Sequence, residues 1–189
     1  QAGLISTDPP LSLDEILQVT PVVEALAAQA PLWEPGTDHG YHALTYGWLA
    51  GELVRRVDGR TIGQYFAEEV AGPLGLDFWI GLPEDQEWRV ARLRGAPRPS
   101  GEALDLMRKI ASPGTNGGRA LTMDGAFAPI DGVDPFNTRP VRASEIPAAN
   151  GVTNAASVAR MYAATIGTVD GVRLLDEATV DKARAEQVF

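Results

Sequence analysis

The sequence predicts a mainly α fold with long irregular loops, and three observations carry that expectation. Helix N-cap signatures recur ahead of apolar residues spaced three and four apart, and alternating strand patterns are almost absent. The 20 glycines and 14 prolines gather between the periodic stretches. At 189 residues with 44% hydrophobic content the chain can bury a real core, and it shows no internal repeat, low-complexity tract or clean linker. A single helical lobe over residues 1–189 is expected, not two domains.

The elements follow in order. Ser12 and Glu15 have capping-box spacing ahead of Ile16 and Leu17. Thr20-Pro21 opens a second short helix with Val22, Val23, Leu26 and Ala27 on one face. Residues 41–57 place Leu44, Trp48, Leu49, Leu53 and Val57 at helical spacing, leave Glu52, Arg55 and Arg56 for the wet side, and stop at Asp58-Gly59. Thr61 with Gln64 caps the next helix, whose Ile62, Tyr65, Phe66 and Val70 run to a stop at Gly72-Pro73, so the two helices form a hairpin. Ser100 is expected to cap a helix through Ile110, Asn154 one through Ile166, and Asp176 the last, from Glu177 to about Gln187. The connections 81–100 and 112–154 are longer than compact domains usually carry without a partner surface or a functional role. Part of the surface that would cover this fold is therefore expected outside the chain.

Charge and residue usage exclude several functions. A formal net charge of −9 opposes binding to nucleic acid or to an anionic membrane surface, which both call for clustered lysine and arginine. With no cysteine there is no disulfide, thiolate metal site or cysteine nucleophile, and the redox compartment stays open. His39 and His42, three residues apart in a turn without carboxylate support, make no zinc site, and no cofactor is expected. No apolar run reaches the roughly 18 residues a membrane span needs, and no leader is visible, although the first residue is Gln1 and not methionine. The compartment stays unknown, with the cytoplasm slightly favoured. The acidic pairs Glu68-Glu69 and Asp85 with Glu87 have no apolar setting and read as solvated.

The stretch "PGTDHGYHALTYGWLAGELVRRVDG" runs a Pro-Gly turn into Tyr41 just ahead of an apolar helical pattern. On the residues alone, that phenol is either a packing side chain with a wet tip or a proton acceptor held against a nucleophile. The pattern P-G-T-x-x-x-Y-x-x-x-x-Y-G-x-L, the helix to Asp58-Gly59-Arg60, and "TIGQYFAEEVAGPLGL" together resemble the β-lactamase-related serine hydrolases. That family includes class C β-lactamases, DD-peptidases and bacterial carboxylesterases. "AANGVTNAASVARMYAATI" and "GVRLLDEATV" extend the likeness over nearly the whole chain.

The resemblance implies an α+β serine β-lactamase-like fold of which this chain is the helical lobe, the antiparallel sheet being largely missing. The family's nucleophile is the serine of an S-x-x-K turn. Neither Lys109 nor Lys182 has a serine three residues before it, since Leu106 and Thr179 stand there, and the G-x-S-x-G elbow is absent too. Tyr41 matches the family's second motif. There it would take the serine proton during acylation and return it, its phenolate favoured by the lysine of S-x-x-K.

Ala43 stands where β-lactamases carry an asparagine amide, which favours ester cleavage over β-lactam hydrolysis. The substrate expected is a small ester or amide. His42, Trp33 and Asn150 are the candidate substrate contacts, while Tyr46 and Trp48 read as core. The alternatives are a β-lactam hydrolase or DD-peptidase of the same family, or a non-catalytic interaction module that kept the lobe and lost the nucleophile. Loss of the sheet layer would bare an apolar patch through which the chain could self-associate.

Overall fold

In the computed structural model, which describes residues 1–95, 97 and 99–186, Ser12 caps α1 (Leu13–Ile16) with the reciprocal Glu15 bond that its spacing predicts. α2 (Thr20–Ala28) follows with Pro21 in its first turn, where the missing N–H leaves no intrahelical bond unmade. α3 (Thr45–Asp58) stops at Gly59, whose φ of 91° is the left-handed cap geometry that glycine adopts without strain. Thr61 and Gln64 form the second capping box and open α4 (Ile62–Phe66).

The predicted stop at Gly72-Pro73 falls one turn early. Residues Ala67–Ala71 widen into a π turn, and α5 (Gly72–Leu74) carries the helix on to Gly75 at φ 60°. The wider turn bonds the Gly72 N–H back to Ala67 O, so Pro73 enters without displacing a carbonyl one α-turn behind it.

β1 (Phe78–Trp79) then pairs antiparallel with β2 (Val152–Thr153), Phe78 opposite Thr153 and Trp79 opposite Val152. Between them lie α6 (Glu102–Ala111), α7 (Asn116–Thr122) and α8 (Arg139–Ala143), and beyond them α9 (Ala155–Ile166) and α10 (Glu177–Arg184). Asn154 and Asp176 cap the last two as predicted. Ser100 does not cap α6: Gly101 stands at the N-cap with no side-chain bond. The predicted end at Gln187 lies outside the described residues.

The largest departure is residues 112–154, expected to be irregular. They hold two helices and supply Met123, Phe127, Val141 and Ile146 to the core, where these meet Ile16, Val22 and Leu26 of α1 and α2, Leu44 just ahead of α3 and Trp48 within it. The Trp48 indole N–H donates to Glu145 O at 3.0 Å, fixing α3 on this segment by a directional bond as well as by packing. α3 itself starts at Thr45, four residues later than its periodicity suggested, and buries Thr45, Gly47, Trp48 and Gly51. Leu53 and Val57, expected in the core, are 66% and 89% exposed. With Tyr46, likewise expected in the core and 66% exposed, they form a second apolar stripe on the opposite side of α3.

Candidate active site

Tyr41 lies on the turn between Gly40 and α3, 75% exposed, and its hydroxyl has no hydrogen-bond partner among the described residues. Its position is set from behind. The Trp33 ring packs so closely on Gly40 that a Cβ there would sit 2.8 Å from the indole. Trp33 also donates its N–H to Gln1 O at 3.2 Å and meets the His42 ring edge-on at 6.2 Å. His42 Nε2 accepts from the Leu4 N–H at 3.1 Å, and Nδ1 lies 2.8 Å from Gly40 O. Because a backbone N–H only donates and a carbonyl only accepts, these partners select the neutral Nδ1–H tautomer.

In front of Tyr41 is an open depression of about 530 Å³, whose walls include Ala43, Tyr46, Leu49 and Ala148. Among the described residues no lysine or arginine lines it. Ala148 reaches it because the 144–150 turn presses on α3 at Gly47, where a Cβ would be 2.4 Å from Ala148 N. Asn150 holds that turn. Its amide donates to Val141 O at 2.8 Å and Ser144 O at 2.6 Å and accepts from Ile146 N–H at 3.0 Å, with the residue 5% exposed.

The structure thus brings Trp33, His42 and Tyr41 together, but the polar groups of Trp33, His42 and Asn150 are all committed to backbone partners. The substrate contacts expected of them find no free polar atom; what they hold is the shape of the site. Sequence reasoning missed Leu49 and Ala148 as wall residues. Spacing within α3 offered Leu49, whereas Ala148 is reached only through a tertiary contact.

The ionic groups lie elsewhere. Glu145 accepts from Thr61 Oγ1 at 2.7 Å and Gly63 N–H at 3.1 Å, a carboxylate seated on the opening turn of α4. Glu52 bonds Arg55 and Arg56 at 2.6 and 2.7 Å, and these guanidiniums pull its pKa down to about 2. Glu87, expected to be solvated, is gripped by Arg142 at 2.5 Å and Arg139 at 2.9 Å, which lower its pKa, Arg142 foremost. Glu68 and Glu69 pair with Arg60. A larger cavity of about 640 Å³ opens between α2, α3 and α4, lined by Val23, Gly51 and Arg55 among others, and none of the residues around Tyr41 reaches it. Among the described residues no group of three or more His, Asp or Glu could hold a metal ion, and no helix is long and apolar enough to cross a membrane.

Among the described residues, an exposed phenol leads into a helix beside an apolar depression, in a helical body with one two-stranded ladder that matches the helical lobe of solved serine β-lactamase-like folds. The comparisons agree: the Beta-lactamase family model matches residues 1–189, and the chain belongs to the β-lactamase-related serine hydrolase family. It is 37% identical over 172 residues to the Esterase/beta-lactamase LipL of Mycobacterium tuberculosis (strain ATCC 25618 / H37Rv), covering 88% of this chain and 39% of that protein. The structure of EstA from Arthrobacter nitroguajacolicus Rue61a superposes with a TM-score of 0.78 at 35% identity, over 100% of this chain and 49% of EstA. A penicillin-binding protein homolog from Caulobacter crescentus matches with a TM-score of 0.71 at 38% identity, over 100% and 47% of the two chains. A family VIII carboxylesterase matches with a TM-score of 0.77 at 31% identity, over 96% and 45%. The chain therefore spans less than half the length of each of these relatives.

Proposed function

We propose that residues 1–189 act as one unit, the central lobe of a serine hydrolase that cleaves carboxylic esters through an acyl-enzyme, with Tyr41 as its proton acceptor. The observation that carries this reading is the Tyr41 hydroxyl, solvent-facing and unbonded at the rim of the depression while its backbone is held from behind. A phenol oxygen with no structural partner is free to take the proton of a serine presented across that rim once the lysine of the family's S-x-x-K turn holds it as phenolate. The serine oxygen attacks the ester carbonyl as its proton passes to the phenolate, and the tetrahedral intermediate collapses as Tyr41 returns the proton to the departing alkoxide. Water then repeats the exchange to free the acid. Ala43 on the wall offers no amide to a β-lactam, which supports an ester substrate, in keeping with the carboxylesterase among the structural neighbours.

No serine in this chain has a lysine three residues after it, so the isolated lobe should neither turn over short aryl esters nor be labelled by a serine-directed phosphonate. The stripe of Tyr46, Leu53 and Val57 is the surface against which the rest of the enzyme packs, and in the isolated lobe it promotes self-association.

The decisive experiment is Tyr41→Phe in the full-length enzyme. The substitution keeps the ring, and since the hydroxyl has no partner here, the melting temperature should hardly move. Loss of a positioned general base should lower kcat by about 10²- to 10⁴-fold with KM little changed. Retention of more than about a third of kcat would make the phenol a surface residue and overturn the reading.

A further inference from the structure

The side chain of Tyr41 has no hydrogen-bond partner among the described residues, so the position of its hydroxyl depends on how firmly its backbone is held. The Nδ1–H bond of His42 runs to Gly40 O at 2.8 Å, spanning the Tyr41 residue and closing a small ring around its backbone. The opposite edge of the same imidazole accepts from the Leu4 N–H at 3.1 Å. Leu4 belongs to a segment itself tied down, since Gly3 O accepts from the Leu32 N–H at 2.8 Å and Gln1 O from the Gly36 N–H at 3.2 Å. One ring thus links the turn that carries the phenol to a stitched part of the body. Only a group with a donor on one edge and an acceptor on the other can bridge a carbonyl and an N–H in this way.

We propose that His42 is a positioning residue for Tyr41, acting through this donor–acceptor bridge and not by touching substrate. The proposal rests on Tyr41 being the proton acceptor, as argued above. A phenol displaced by as little as about 1 Å from its partner can cost about 10²-fold in rate, so a surface bridge two residues long can matter to turnover.

Two substitutions in the full-length enzyme separate the bridge from packing. His42→Phe keeps a ring against Trp33 and removes both bonds; His42→Gln gives up the ring but keeps an amide with one donor and one acceptor. The bridge predicts that kcat falls about 10- to 100-fold in His42→Phe, with KM for a short ester within about threefold. It also predicts that His42→Gln recovers most of the loss. The reverse order, Phe active and Gln impaired, or an equal loss in both variants would overturn the bridge, and full activity in both would remove His42 from the mechanism.

Tyr41→Phe run alongside tells the two ideas apart. Full activity in Tyr41→Phe defeats the functional reading of the site, whereas an inactive Tyr41→Phe beside a fully active His42→Phe defeats only the positioning role. In the 189-residue chain itself, amide exchange at Leu4 should quicken in His42→Phe and stay slow in His42→Gln. Unchanged exchange at Leu4 in His42→Phe would show that the bridge does not hold the turn.

Discussion

Gly47 and Gly51 sit one turn apart on α3, and alanine at either position gains the same helix propensity, about 1 kcal/mol. Their surroundings give the two substitutions opposite signs. A Cβ on Gly47 would stand 2.4 Å from Ala148 N and 3.0 Å from Ala148 Cβ. That is about 1 Å inside ordinary contact, and the obstacle is backbone, which no rotamer change can relieve. Either α3 or the 144–150 turn must move, and the turn is pinned by Asn150 and by the Trp48 bond to Glu145 O.

Overpacking of this kind costs about 1–3 kcal/mol, and a backbone clash belongs at the upper end, so Gly47→Ala should be destabilising by about 1–2 kcal/mol net. At Gly51 the nearest atom is the Ile62 Cγ2 methyl at 3.3 Å, on a half-buried side chain that can yield by a few tenths of an ångström. Gly51→Ala should therefore stabilise by about 0.5–1 kcal/mol. The two melting temperatures should differ by roughly 4–10 °C for a chain of this size. Thermal unfolding followed by circular dichroism measures the gap. If Gly47→Ala melted at or above the Gly51→Ala variant, the close approach of α3 to the 148 backbone would not be a constraint, and the placement of Ala148 beside Tyr41 would lose its physical basis.

Asn150→Ala strands the Ile146 N–H and the carbonyls of Val141 and Ser144 in a buried turn, and should destabilise by about 2–4 kcal/mol in urea unfolding; a loss under about 0.5 kcal/mol would show that water replaces the amide. Glu52 has its pKa lowered from 4.5 to about 2 in the folded chain, so its contribution to stability is fully present above about pH 4.5 and is lost as pH falls toward 2. Since both guanidiniums are largely exposed, Glu52→Gln should cost only about 0.3–1 kcal/mol at pH 7, and the gap from the parent chain should close on acidification. A gap that persisted at about pH 2 would mean that Glu52 acts through packing and not through charge.

Capping chemistry made the helix starts at Ser12, Thr61, Asn154 and Asp176 legible in advance, because each depends on one side chain reaching a backbone N–H three residues on. The motif around Tyr41 singled out a candidate site before any geometry was known. Periodicity misled at α3, which is apolar on two faces: its spacing alone cannot tell Trp48, inside the body, from Leu53 and Val57, outside it. The 112–154 stretch looked irregular because α7 contains Gly117-Gly118 and α8 opens with a proline, both poor local signals. Those glycines are required by contact: a Cβ at either would come within 2.1 Å of the carbonyl of Ile110 or Ser112. For His42 and Asn150 the residue types were noticed, but their bonding partners are set by how chain segments meet.

The core draws one set of residues from α1 to α3 and another from the segment holding Met123 to Ile146, while the chain between Val90 and α7 buries no described side chain. Beyond the tie of Leu93 to Asn137, the described residues of that stretch join two halves that already grip each other elsewhere. A peptide bond cut ahead of α6 would sever the covalent path and leave the core contacts between the halves intact, so the fragments should stay associated after limited proteolysis. By the same logic it is the place where extra residues are most easily accommodated, or where the lobe could be split into two chains that reassemble.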